Sequence, residues 1–423
     1  MKSRANIVFS FLSLAAATAV GAPSIDSITV DASRPKLVVD YMLGGGEAAV
    51  VTAEVRVNGE AIAPERFVSV SGDVGHVVEP GPRRFTWNAR KDWPEQKLTG
   101  VTVALTAWAT NAAPDYLVVD LTATNRSARE TVTYYVSEAD IPYGVTSDLY
   151  KTERLVMRKI PAAGVRWAMG SPEGETGRVR DDEIQHFVTL TSDYYMGVYP
   201  VTVGQYRLVR GAVNANAEAL KDPVPADADC HPVSAVAYGY KEEPVQHWLR
   251  NSSFWPTNQA HSGRALYADG FLGQLQKLSG IEFDLPTSAQ WEFACRAGST
   301  TAIYGNLTAD EVAWYSGNTN RTVAVGLKRQ NAWGLYDMLG NVYEWCIDIY
   351  VNKKASDAEV VDPAGPTMEE AGYPQNGIYF ARRGSAYTGS ANDIRCAGVW
   401  GRQYSGSDQM LGFRVCCPAG ATW

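Results

Sequence analysis

The sequence predicts two domains, a β-sandwich over residues 23–140 followed by a mixed, loop-rich domain over 154–418, and three observations carry that reading. At 423 residues the chain exceeds what one hydrophobic core normally serves. Short alternating apolar runs broken by turn residues fill the first third. Beyond about residue 154 the pattern changes to short strand-like runs, few helical ones and long connections, and long ordered loops usually carry function.

In the first domain the strand runs are Lys36 to Leu43, Ala49 to Val57, Arg84 to Asn88, Gly100 to Ala109 and Thr131 to Ser137. Val51, Ala53, Val55 and Val57 alternate with polar residues, as a half-buried strand requires. Gly44-Gly45-Gly46, Asn58-Gly59 and Glu79-Pro80-Gly81-Pro82 are turn signals between them. Seven or eight strands over roughly 115 residues suggest an immunoglobulin-like sandwich. His76 is its only histidine and it has no cysteine, so a spacer or recognition module is expected there, not a second active site. Residues 141–153 read as a linker, and Leu155 to Ile160 opens the second domain. Helices are expected around Thr202 to Leu208 and Ser288 to Ala297, the latter with Thr287 or Ser288 as N-cap.

Hydrophobic content of 45% with 20% charged residues describes an ordinary globular chain. The net charge of −8 leaves no basic excess to neutralise phosphates, so nucleic acid is not an expected partner. Residues 1–22 read as a secretory signal: Lys2 and Arg4, an apolar run from Ile7 to Val20, then Val20-Gly21-Ala22 as a cleavage site. The alternative is an N-terminal membrane anchor, against which the run is short and interrupted by Ser and Thr. No later stretch is long enough to cross a membrane, so the expected location is secreted, periplasmic or at the cell surface. Export would place Cys230, Cys295, Cys346, Cys396, Cys416 and Cys417 where disulfides persist, and spacing alone selects none of the possible pairings.

Asp337 and Glu344 flank Gly340-Asn341, so a loop folding back at the glycine can bring both carboxylates to one point. Oxygen ligation of that kind suits Ca²⁺. The alternative is a solvated turn with Glu344 hydrogen-bonded to backbone amides. The stretch containing them, Gly334 to Trp345, stands in an ordered set with Met169-Gly170-Ser171, Tyr194 to Thr202, His231-Pro232-Val233, Leu285-Pro286-Thr287 with Trp291-Glu292-Phe293, and Gly412-Phe413-Arg414. Single pieces are weak signals; six in order are strong ones. Together they resemble the sulfatase-modifying-factor family, the formylglycine-generating enzymes.

That resemblance implies a loop-rich α+β domain related to C-type lectins over about residues 155–417. It implies calcium held by the Asp337 side chain, the carbonyls of Gly340 and Val342, and the Glu344 carboxylate. A second calcium site of some members is expected to be absent, because Trp314 to Asn318 runs almost directly to Gly334. A disulfide between Cys295 and Cys396 is implied as well, while Cys346 is expected as a buried thiol. Active members bind copper through two cysteines after a Gly-Ser near the C-terminus and oxidise a client cysteine with O₂. Here Gly384-Ser385 is followed by Thr388 at the first cysteine position and by Ser390, Asn392 or Asp393 near the second. Cu(I) prefers sulfur, and these oxygen and amide groups cannot replace thiolates, so copper is not expected.

Ser385 matches an active-site serine, Tyr343 replaces a tryptophan of the peptide groove, and Ala386 replaces an aromatic. A hydrolase would need an ordered base beside Ser385, and no histidine neighbours it in sequence. His186, His231, His247 and His261 show no i,i+4 pairing and read as structural or surface residues. The resulting expectation is an exported, calcium-braced domain that binds a protein or glycan and has lost oxidase activity. The alternative is an active formylglycine-generating oxidase.

Overall fold

A computed structural model describes residues 21–32, 36–95, 98–123, 126–178, 183–211, 225–236, 238, 266, 268, 270–351, 358–372, 378–403 and 408–420. The signal segment, His247 and His261 therefore lie outside the described residues, apart from Gly21 and Ala22. The chain forms two compact units, one of residues 1–115 with 133–145 and one of residues 116–132 with 146–423.

In the first unit, strands Ser24–Asp31, Leu37–Gly44, Gly81–Trp87 and Val70–Gly72 are neighbours in one antiparallel sheet. The second sheet centres on Ala49–Val57, which pairs with Val101–Ala109 from Ala49↔Ala109 to Val57↔Val101. Side-chain alternation decides which face is buried. Leu37, Val39, Tyr41 and Leu43 are sealed inside while Met42 is exposed. Val51, Val55, Phe85 and Trp87 join them in one core. Asn58 and Gly59 both have positive φ, 53° and 84°, the conformation that a tight two-residue hairpin turn demands.

The boundary between the domains differs from the sequence reading. Tyr116–Asp120 pairs antiparallel with Arg154–Ile160 and belongs to the second unit, whereas residues 133–145 return to the first. Leu117, Val118 and Val119 are all buried, so this strand is covered on both faces. Such a strand reads as a continuous apolar run and carries no alternation to assign it to the neighbouring sandwich.

The second unit is α+β, β-rich with few helices. Arg154–Ile160 also pairs with Tyr194–Gly197, which pairs with Cys416–Pro418. A second sheet places Tyr343–Ile349 between Tyr379–Arg383 and Leu411–Gly412, with Val399–Gln403 outside Tyr379–Arg383. A third joins Val165–Met169, His186–Leu190 and Val360–Val361. Helices Val203–Arg210 and Ser288–Arg296 form where expected, each opened by a threonine cap. Thr287, not Ser288, caps the second: its Oγ1 accepts the Gln290 N–H at 3.1 Å, and Gln290 Oε1 accepts the Thr287 N–H at 2.9 Å. The cap aims Trp291 and Glu292 inward, where both are fully buried. Among the described residues no helix is long and apolar enough to cross a membrane.

Candidate functional site

Three residues of the loop from Asp337 to Asn341 adopt left-handed backbone, Asp337 at φ 51°, Gly340 at φ 79° and Asn341 at φ 60°. This folds the chain back as the sequence predicts. Gly340 is obligatory there, since a Cβ would stand 2.4 Å from the Trp314 carbonyl oxygen. The Asn341 amide locks the bend by accepting the Val323 N–H at 3.1 Å and donating to the Val323 carbonyl at 2.9 Å.

Both loop carboxylates are buried, but their surroundings differ. Glu344 Oε2 accepts the Trp291 indole N–H at 2.6 Å and Arg414 Nε at 3.1 Å, while Oε1 accepts Arg414 Nη2 at 3.0 Å. Arg414 spends its remaining donors on the carbonyls of Gly197 (2.6 Å) and Tyr336 (2.7 Å). The arginine of Gly412-Phe413-Arg414 is thus the counter-ion of the glutamate before Trp345. Asp337 accepts only neutral donors, the Gly326 N–H at 2.7 Å and the Asn341 amide at 3.4 Å. Burial pushes its carboxyl up to about 6, and the Glu344 charge adds to that, against the pull of Gly326, Arg414 and Asn341.

Asp337, Glu344 and Arg414 therefore leave one buried negative charge uncompensated when both acids are ionised. Carboxylate oxygens suit a hard cation in kind, while the hydrogen-bond partners of Glu344 are Trp291 and Arg414. Among the described residues no group of three or more His, Cys, Asp or Glu side chains is gathered for a metal, so the remaining ligands would be main-chain oxygens or water.

The segment after Gly384 packs directly on this loop. The Gly384 carbonyl accepts the Gly340 N–H at 2.7 Å, and the Asn341 carbonyl accepts the Tyr387 N–H at 2.9 Å. Ser385 sits at φ 64°, an unfavourable conformation for a serine, with its hydroxyl buried beside the Tyr343 phenol. Thr388 is exposed and donates to the Met410 sulfur. Asn392 and Asp393 lie in the short turn Ala391–Asp393, where Asp393 caps the turn by accepting the Ser390 N–H and hydroxyl, both at 2.8 Å. All six cysteines are buried, Cys295 and Cys396 side by side in the core with sulfurs 3.5 Å apart as free thiols, Cys346 within it as expected. The resemblance therefore names the right neighbours, without the covalent bond being present. Burial drives the Cys295 thiol well above its ordinary value, and its Cys396 neighbour adds to this.

Sequence reasoning named Tyr343 but missed Arg382, Trp400 and Arg402 on the same face of its sheet. Tyr343 and Arg382 lie on neighbouring strands, and Arg382 is directly opposite Trp400, two residues before Arg402. The Arg382 guanidinium stacks 4.0 Å from the Tyr343 ring centre, Trp400 meets that ring edge-on at 5.2 Å, and both arginines approach Asp408. Alternation along Trp400 and Arg402 was the available signal, but without the strand register nothing tied it to Tyr343. His231, read as structural, is buried between Thr322 and Asp227 at 3.2 and 3.3 Å.

The fold and this site define a β-rich domain whose core loop buries two carboxylates, one of them paired with Arg414. The chain belongs to the family described by the sulfatase-modifying factor enzyme 1-like domain, which matches residues 158–418. It is 28% identical over 278 residues to the serine/threonine-protein kinase pkn1 of Chlamydia pneumoniae, covering 62% of this chain and 38% of that protein. It is 29% identical over 146 residues to the formylglycine-generating enzyme of Mus musculus, covering 31% of this chain and 38% of the enzyme. The Streptomyces coelicolor formylglycine-generating enzyme is 30% identical over 154 residues, covering 33% and 48% respectively. The chain thus spans less than half the length of these relatives. Among solved structures it is similar to Treponema denticola variable protein 1, with a TM-score of 0.48, 22% identity, and 65% of this chain and 98% of that one covered.

Proposed function

We propose that this chain is a binding protein built on the family scaffold, without the copper chemistry of its formylglycine-generating relatives. The observation that carries the reading is the fate of sulfur. An exposed threonine, Thr388, stands where the first thiolate is needed, and all six cysteines are buried. Cu(I) needs soft ligands, and a client cysteine needs a reachable thiolate to capture it. Incubation with a cysteine-containing sulfatase peptide, Cu(I) and O₂ tests this reading through the aldehyde product. The first unit serves in this account as an immunoglobulin-like spacer or recognition module, and the chain acts outside the cytoplasm on a protein or glycan.

Calcium is proposed at Asp337 and Glu344, with the Gly340 and Val342 carbonyls. Support comes from the buried charge on Asp337 that no ion pair compensates. A cation bound only by the folded state raises stability by about 2.7 kcal/mol at a hundredfold excess over its dissociation constant. The expected result is a higher melting temperature in Ca²⁺ than in chelator. Asp337→Asn separates the electrostatic components. The folded-state carboxyl titrates near 6, above the ordinary value of 3.8, so in chelator its ionisation costs stability progressively as pH rises across that interval. At pH 7.5 in chelator the asparagine variant should therefore match or exceed the parent, and calcium should stabilise only the parent. Equal calcium responses in the two proteins would place the cation elsewhere.

In an oxidising compartment Cys295 and Cys396 are proposed to close into a disulfide, because their sulfurs already touch. The loop closed spans about 100 residues, which the chain-entropy model values at up to roughly 4.7 kcal/mol. Peptide mapping of exported protein without reduction should recover the two cysteines in one linked fragment. Recovery of both as alkylatable thiols after denaturation would refute the bond.

A further inference from the structure

Val101–Ala109 lies at the edge of its sheet in the first unit, and its outer side has no neighbour among the described strands. On the inner neighbour Ala49–Val57, Val51 accepts the Gly75 N–H at 2.7 Å and donates to the His76 carbonyl at 3.2 Å, and Val55 accepts the Ile62 N–H at 3.1 Å. Val51 and Val55 thus face away from Val101–Ala109, so its even-numbered residues make the ladder bonds to Ala49–Val57. Val101, Val103, Leu105, Ala107 and Ala109 therefore aim their N–H and C=O groups outward. An immunoglobulin-like sandwich closes this edge with a last strand. Here the next strand, Tyr116–Asp120, pairs with Arg154–Ile160 in the second unit instead. The segment that returns to the first unit, residues 133–145, reaches the far side of the sheet, where the Tyr134 N–H donates to the Gly75 carbonyl at 2.8 Å.

Burial follows the same division. Val51, Val55 and Val57 are sealed, whereas Val101, Val103, Leu105 and Ala107 are only partly buried, as are Ile25, Ile28 and Val30 on the edge strand of the facing sheet. Natural edges are usually blunted by charge, proline or a bulge. Val101–Ala109 has no charged residue and no proline, and its register with Ala49–Val57 is unbroken. The strand also complements a copy of itself. With a two-fold axis at Leu105, Val101 meets Ala109 and Val103 meets Ala107 on the inner face, while Thr102 meets Trp108 and Ala104 meets Thr106 on the outer one. Each of these pairs sets a larger side chain against a smaller one, and no like charges oppose each other. The outward residues of two copies supply about ten hydrogen bonds, as many as a standard interface carries. We propose that the first unit pairs with a second copy of this chain, Val101–Ala109 lying antiparallel to its counterpart so that the two sheets run on as one.

Sedimentation of the full-length protein over a micromolar concentration series should show monomer and dimer and nothing larger, since a two-fold contact closes on itself. The double variant Ala104→Glu, Thr106→Glu changes two exposed side chains and should keep the parent's circular dichroism. It sets carboxylates opposite one another at two places and should weaken the dimer at least about tenfold. Ala104→Lys, Thr106→Lys should weaken it likewise. Mixing the two variants should restore association, because each lysine then faces a carboxylate. A parent that stays monomeric, a dimer that neither charge variant weakens, or a mixture that fails to associate would each overturn the proposal. In the first case the edge would be left to a strand of a different protein.

Discussion

Replacing Arg414 with methionine is expected to lower stability by about 3–5 kcal/mol, because it leaves the Glu344 carboxylate buried and without its counter-ion. Arg414 and Glu344 are both inaccessible to solvent, and the guanidinium also holds the Gly197 and Tyr336 carbonyls. The change therefore strands one charge and two acceptors at the junction of three sequence motifs. A urea titration followed by tryptophan fluorescence should show a large shift of the midpoint for the second unit. The double variant Glu344→Leu, Arg414→Met should recover part of the loss, since it removes the charge that the single variant strands, although the Trp291 indole then loses its acceptor. A single variant as stable as the parent would show that the pair does not hold the core.

Glu292→Ala should be comparably damaging for a different reason. This carboxylate accepts Arg296 Nε and the Gly170 N–H on one oxygen, both at 2.8 Å, and Arg383 Nη1 on the other at 2.9 Å. Its removal leaves two guanidiniums buried with fewer acceptors, again about 3–5 kcal/mol for a broken buried ion network. Burial acts to raise the Glu292 carboxyl, but Arg296 and Arg383 outweigh it and hold it below the ordinary value of 4.5. A depressed acid contributes stability above its unfolded-state pKa that is lost as pH falls through the folded one. The parent should consequently lose stability on acidification below about pH 4.5, and the alanine variant should lose less over the same interval. Parallel pH profiles for the two proteins would contradict the role assigned to Glu292.

These two carboxylates show what was legible in the chain and what was not. The helix opened by Thr287, the Asn58-Gly59 turn and the fold-back at Gly340 were readable because each depends on local backbone chemistry. The family scaffold was readable because its motifs occur in order. The purpose of those motifs was not: that Arg414 neutralises Glu344, or that Glu292 joins Gly170 to Arg383, depends on contacts between residues 70 to 122 positions apart. No period or spacing encodes such distances. The domain boundary failed for a related reason, since Leu117 to Val119 is apolar in a way that any covered sheet would accept. The face bearing Trp400 and Arg402 stayed hidden because strand register, which brings it beside Tyr343, is a tertiary property.

The central claim is that the scaffold persists without its sulfur-based oxidation chemistry, and formylglycine formation measures it most directly. Purified protein supplied with Cu(I), O₂ and a cysteine-containing sulfatase peptide should leave the peptide mass unchanged. The Thr388→Cys variant carrying a second cysteine at Asn392 or Asp393 should gain copper binding if only the ligands were lost. A peptide product that has lost sulfur and gained a carbonyl oxygen in the presence of the unaltered protein would contradict the account and require an oxidase site elsewhere in the chain.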